Sequence, residues 1–123
     1  MILVDTSIWV RAWRGRLEAF PQLSEIMRSH KTAGHELVHG ELLAGDGGGR
    51  AGFLADYERL TWGPRLPHQE VAHFARLRRL HGRGAGWVDL HLLAATLVKG
   101  WRLWTADAVL AELADDLGIG HRI

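Results

Sequence analysis

Apolar residues come in short runs along this chain, and the runs change period from one to the next. Ile2, Leu3 and Val4 form an unbroken apolar triplet closed by Asp5, a pattern that suits a central strand buried on both faces. Thr6 and Ser7 then offer a helix N-cap, and Ile8, Trp9, Val10, Ala12 and Trp13 carry a short helix on to Gly15. Leu17, Phe20, Leu23 and Met27 recur at near-helical spacing, which predicts a second helix over 17–29 in spite of Pro21. A brief strand is expected at 31–33, then a helix through HELVHGELLA (35–44), a glycine-rich loop at 45–49 and further helix over 50–61. Two prolines make 61–67 a connection with room for a strand. Val71, Phe74, Leu77 and Leu80 mark an amphipathic helix, which the glycines of 82–86 break. Residues 88–99 are almost wholly apolar and predict a buried helix. Residues 101–104 read as a strand, 108–117 as a helix and 118–123 as a short terminal strand. Strands alternating with helices imply an α/β fold with a mostly parallel sheet covered on both faces.

Length and composition narrow the picture. A chain of 123 residues with 47% hydrophobic content can build one compact domain, and no repeat or linker divides residues 1–123. The net charge of +1 is too balanced to argue for nucleic acid by itself. With no cysteine, disulfides, thiolate zinc sites and thiol chemistry are all excluded. Asp5 interrupts the apolar N-terminus and no basic leader precedes it, so a buried strand is expected there and not a signal peptide. No stretch is apolar for long enough to span a bilayer, and a cytoplasmic location is expected.

The stretch 35–39 spells H-E-x-x-H, the zinc-protease spacing that sets two imidazoles on one helical face beside a general base. At about 100° per residue, however, Leu37, Val38, Glu41, Leu42 and Ala44 fall on one side. His35, Glu36, His39 and Gly40 fall on the other, where solvated histidines need no special explanation. No G-x-x-H follows to complete a ligand set. Glu41 is the anomaly, a carboxylate expected among apolar neighbours, and such a group needs a partner, a cation or a raised pKa.

Three more acids stand out. Asp5 and Asp107 follow the strands ILV and WRLW, which places both at the carboxyl edge of a parallel sheet, where ligands bind in open α/β folds. Asp89 lies in the first turn of the most apolar helix, on the side of Leu92, Leu93 and Thr96. Taken singly, Asp89 is a helix N-terminal acid favoured by the dipole and Asp5 is a cap for the next helix. Taken together, four such acids without a matching buried Lys or Arg suggest a site for a hard cation such as Mg²⁺ or Mn²⁺.

These residues resemble a known family. ILVDTSIWV, GELLAG, VDLHLLAAT and LWTADAVLAELADDLGI, in this order, are similar to the PIN-domain ribonucleases, specifically the VapC type of toxin–antitoxin systems. The resemblance covers nearly the whole chain and implies a PIN-like three-layer α/β/α sandwich. It maps an acidic quartet onto Asp5, Glu41, Asp89 and Asp107, with Thr6 or Ser7 and Thr105 as supporting hydroxyls. It further implies a Mg²⁺- or Mn²⁺-dependent endoribonuclease, a homodimer, inhibited by a cognate VapB-type antitoxin. Two positions depart from the family's habit: His91 where a small or apolar residue is usual, and Leu110 in place of an aromatic. Arg76, Arg78, Arg79 and Arg83 are candidates for RNA backbone contacts, weighed against a merely solvated helix face. The six tryptophans are expected mostly in the core, with Trp9 or Trp13 available to a partner groove.

Other classes place Asp at a strand end as well. A receiver domain wants an acidic pair before that strand, and a haloacid-type phosphatase wants D-x-D where this chain has DTS. A non-catalytic PIN-like module that binds RNA or protein is the alternative, and an intact quartet argues against it; the zinc protease stands a distant third.

Overall fold

The structure, a computed structural model, describes residues 1–122. Four short strands, β1 (Ile2–Val4), β2 (Thr32–Gly34), β3 (Thr61–Trp62) and β4 (Arg102–Trp104), form one sheet in the order β3-β2-β1-β4. Every pairing is parallel, with Leu3 opposite Ala33 on one side and Leu103 on the other. Seven helices cover it: α1 (Thr6–Trp13), α2 (Phe20–Arg28), α3 (Glu36–Ala44), α4 (Ala51–Glu58), α5 (His68–Leu77), α6 (Trp87–Lys99) and α7 (Ala108–Asp116). The arrangement is the expected short-stranded parallel sheet flanked by helices. Leu3 and Val4 are fully buried, which is why β1 shows no polar alternation.

Helix α6 is buried almost all round, from residue 90 to 96 without a break. It stops at Gly100, whose φ of 67° is left-handed, where the N–H groups of Gly100 and Trp101 bond back to Leu97 and Thr96.

Several boundaries differ from the sequence reading for local reasons. α2 begins at Phe20 and not at 17, so Pro21 falls in the first turn, where its missing N–H costs nothing. α5 ends at Leu77, which is 68% exposed, and Arg79 adopts a left-handed φ of 55°. Leu80 therefore reaches the core from a loop and not from the helix face. Residues 50–61 split into α4 and the first residue of β3. The terminal strand shrinks to one bridge between Leu103 and Gly120, framed by bonds from Leu103 N–H to Ile119 and from His121 N–H to Leu103. Ile123, its last expected residue, lies outside the described residues.

Of the tryptophans, Trp9 and Trp104 are buried, Trp13, Trp62 and Trp101 are half-buried, and Trp87 is exposed. Trp9, Trp13, Phe53, Tyr57 and Trp62 form an aromatic cluster of edge-to-face and tilted pairs beside β2. Gly34 is where the sheet meets this cluster. A Cβ there would lie 2.8 Å from Trp62 Cδ1 and 3.1 Å from Tyr57 Cζ, whereas a Cβ on Gly40 of α3 meets nothing. Gly34→Ala is therefore expected to cost about 1–3 kcal/mol through overpacking. Gly40→Ala should be neutral or stabilising by about 0.5–1 kcal/mol through helix propensity. Urea unfolding of both variants checks the contrast, and equal midpoints would refute it.

Candidate active site

β1 ends just before Asp5 and β4 just before Thr105, so both open at the same carboxyl edge of the sheet. Asp5 occupies the N-cap position of α1 yet makes no cap hydrogen bond with its side chain. The capping role that its position suggested is thus not the one it plays. Its Oδ2 instead accepts from the Ser7 hydroxyl at 2.7 Å and the Thr105 hydroxyl at 2.8 Å, and the residue is 7% exposed. Ser7 and Thr105 are 3.3 Å apart, but each has a single proton and gives it to Asp5. Their oxygens in turn accept from the Ala106 and Asp107 N–H groups, which locks the turn after β4 onto β1.

The other acids are fixed just as locally. Asp89 sits in the first turn of α6, and its Oδ2 accepts from Gly86 N–H at 3.1 Å. Asp107 caps α7 through Oδ1 and Leu110 N–H at 3.0 Å. Glu41 corrects an expectation: it is exposed and does not point into the core. Val38 and Leu42 are the buried residues of α3, and Glu41 lies about 60° around the helix from Val38, at the rim of that stripe. There it accepts a 2.7 Å bond from the Thr6 hydroxyl. Thr6 and Ser7 thus serve different acids, a division the sequence left open.

Asp5, Thr6, Ser7, Glu41, Asp89 and Asp107 line one open cavity of about 420 Å³. Val10 and Arg11 of α1 and Arg14 at its C-cap complete its wall. The two arginines were missed in the sequence reading; they stand four and seven residues after Ser7, on its side of the helix. The four arginines singled out there are not among the lining residues. Arg76, Arg78 and Arg79 are exposed at and beyond the end of α5, and Arg83 is paired with Asp116 at 2.7 Å and Glu112 at 3.6 Å.

The H-E-x-x-H histidines are not solvated, contrary to the helical projection. His35 is fully buried as the N-cap of α3, because the helix starts one residue after it. Its Nδ1 accepts from Leu37 N–H at 3.1 Å and its Nε2 faces the Pro64 carbonyl at 3.1 Å, which fixes the proton on Nε2. Burial holds its pKa below the usual histidine range. His39 stacks on Tyr57, tilts against Trp62 and approaches Glu58 at 3.5 Å. Both ring nitrogens of His35 are committed to backbone, so this pair is architectural and holds no zinc.

Electrostatics at the cavity reflect burial first and crowded like charges second. Burial raises the Asp89 carboxyl above the ordinary carboxylate range. The Gly86 bond works against that rise, and the charges of Asp5, Asp107 and Glu41 add to it. The donors are all oxygen, the chemistry of a hard divalent cation. Each carboxylate has one oxygen tied down and another with no hydrogen bond among the described residues. Among the described residues no three acid or histidine side chains stand close enough to grip an ion unaided. The site thus fits a cation that keeps several of its waters, as Mg²⁺ does.

A short parallel sheet with acids gathered at its carboxyl edge fits the PIN-domain class that the sequence resembles. The PIN domain family matches residues 2–116, and the chain belongs to that family. It is closely related to the VapC-type ribonucleases: Ribonuclease VapC32 of Mycobacterium tuberculosis, from strains CDC 1551 / Oshkosh and ATCC 25618 / H37Rv, is 38% identical over 120 residues. That match spans 97% of this chain and 94% of the relative. The crystal structure of PAE2754 from Pyrobaculum aerophilum shares the fold, with a TM-score of 0.56 at 20% identity, over 90% of this chain and 82% of that one.

The raised Asp89 pKa makes stability depend on pH. An acid whose folded pKa exceeds its unfolded value near 4 holds its proton more tightly when folded. Stability is then greatest below pH of about 4 and falls as pH rises through the folded value. Asp89→Asn keeps an oxygen for Gly86 but loses the charge. It should melt higher than wild type in EDTA at neutral pH and gain less from millimolar Mn²⁺. Thermal melts of both proteins in both buffers check this; a variant that melts lower and gains as much makes Asp89 a helix-terminal acid only.

Proposed function

We propose that this chain is a Mg²⁺- or Mn²⁺-dependent endoribonuclease, the toxin of a type II toxin–antitoxin pair, working in the cytoplasm as a single domain. The observation that carries the reading is the ring of Asp5, Glu41, Asp89 and Asp107 around one cavity, each with an oxygen that has no hydrogen bond among the described residues. The ribonuclease name of its relatives supports it. Asp5, Asp89 and Asp107 would hold the cation, with Glu41 directly or through water. Bound there, it would activate a water for attack on an RNA phosphodiester and neutralise phosphoryl charge.

The chain's own side chains prepare that chemistry. Ser7 and Thr105 hold Asp5 by one oxygen and leave the other without a hydrogen bond among the described residues. Thr6 does the same for Glu41. Arg11 and Arg14 bring positive charge to the rim of an otherwise anionic site, where an RNA phosphate must approach. Arg76, Arg78 and Arg79 remain candidates for contacts farther along the strand.

Asp5→Asn and Asp89→Asn are each expected to lower metal-dependent cleavage of a mixed RNA pool by about 10²-fold or more, the scale of a positioned catalytic group. Glu41→Gln should lose most activity, while His39→Ala should keep it. Mapped ends should carry 5′-phosphate and 3′-hydroxyl. Cleavage by Asp5→Asn at the wild-type rate would refute the site.

A toxin needs an inhibitor, and the antitoxin we propose is a VapB-type protein seated on the apolar groove between α1, α2 and α4. Trp9, Trp13, Leu23 and Phe53 line this groove of about 310 Å³, and Phe20 and Met27 stand half out of it at 52% and 44% exposure. The resemblance also supports a homodimer. Phe20→Ala should weaken antitoxin binding at least several-fold while leaving RNA cleavage intact. Calorimetric titration alongside a cleavage assay separates the two, and unchanged affinity would move the docking site elsewhere.

A further inference from the structure

The carboxyl edge of the sheet carries two chemistries. In one half, β1 and β4 end at the acidic cavity. In the other, β2 and β3 lead into His35 and Glu36 and into Gly63, Pro64 and Arg65. Helix α6 serves both halves, because its first turn holds Asp89 at the cavity and Trp87 outside the core. Trp87 is 41% exposed, yet its ring is not loose. His68, from the first turn of α5, lies against it at 4.8 Å between ring centroids with a 43° tilt. His91, one turn along α6, meets it edge-to-face at 4.9 Å and 90°. His91 is itself 3% exposed, and its Nδ1 has no hydrogen-bond partner among the described residues. Arg65, paired with Glu36 at 3.3 Å, is near enough for its charge to be felt at both His91 and His35.

We infer that Trp87, braced by His68 and His91, is a stacking platform for an unpaired nucleobase next to the scissile phosphate, and so a residue that positions single-stranded substrate at the site. The inference rests on the ribonuclease reading. Trp87 and Asp89 stand two residues apart at the N-terminal end of α6, about 200° around its axis, so a strand that crosses this helix end can set a phosphate at the acids and a neighbouring base on the indole. Bases stack on aromatic faces whatever their identity, and single-stranded RNA is recognised largely in this way. A ring already braced by two others loses little freedom when a third stacks on it. The surroundings favour a nucleotide over an apolar peptide: Trp87 is framed by two imidazoles, while the aliphatic and thioether side chains gather around Phe20 and Met27.

The test compares wild type, Trp87→Ala and Trp87→Phe for binding of a dye-labelled single-stranded RNA in EDTA, by fluorescence anisotropy. KM and kcat for its cleavage are measured in Mn²⁺. The same oligonucleotide is also made with one abasic nucleotide, moved along the strand. Trp87→Ala is expected to weaken binding, and raise KM, about five- to a hundred-fold, with kcat little changed. Trp87→Phe should stay within a few-fold of wild type. One abasic position should reproduce the loss in wild type and add nothing in Trp87→Ala. The platform is overturned if Trp87→Ala binds as wild type does, if Phe is as weak as Ala, or if every abasic position penalises the variant and wild type equally. RNA that binds in a Trp87-dependent way but is never cut sinks the ribonuclease reading and leaves the platform. RNA cut with an unchanged KM by Trp87→Ala does the reverse, and a wild type that neither binds nor cuts RNA ends both.

Discussion

The pairing of β1 with β4 governs everything at the site. The two strands run parallel and in register from Ile2 beside Arg102 to Val4 beside Trp104, and Asp5 N–H extends the ladder to the Trp104 carbonyl at 2.9 Å. Strands that leave a sheet in step deliver their next residues side by side, so Asp5 and Thr105 emerge within hydrogen-bond reach. A slip of one residue would turn every side chain of β1 to the other face. Burial of Leu3, Val4, Leu103 and Trp104 makes that slip costly, and so the apolar core sets the geometry of a polar site.

Gathering four carboxylates around one cavity is unfavourable, and the fold offsets it with backbone dipoles. Asp5 stands at the start of α1, Asp89 in the first turn of α6 and Asp107 at the cap of α7. Three helices thus aim their positive ends at the same anionic cavity, each stabilising negative charge by about 0.3–1 kcal/mol at an exposed site. Asp89 and Asp107 also accept backbone N–H bonds of their own helices, which makes them useful to the scaffold whether or not a cation is present. Glu41 lacks that help, lying mid-helix, and the Thr6 hydroxyl takes its place.

The strands and most helices were legible because short apolar runs between polar breaks leave few alternatives for a parallel sheet. The acids after ILV and WRLW could be placed at the carboxyl edge from order alone. What a helical projection could not supply was tertiary context. His35 falls on the polar side of the wheel, yet it lies at the N-cap, where the direction of a side chain is set by the entering strand and by Pro64. Glu41 falls on the apolar side, yet α3 overhangs the cavity there. Leu80 continues the period of α5, yet the helix ends at Leu77. Arg11 and Arg14 escaped notice because a surface arginine carries no anomaly until the cavity beside it is known.

The two borders of the sheet are closed in different ways. β3 is only two residues long, and beyond β4 the backbone of residues 119–121 already occupies the hydrogen-bonding groups of Leu103. Neither border offers another chain a long row of free N–H and C=O groups. Strand-to-strand pairing is therefore disfavoured at both borders, and association falls to the helical faces, by side-chain shape and charge. Each partner is then selected by sequence on the helices, and the toxin-type site can be held at high concentration without inviting strand-by-strand aggregation.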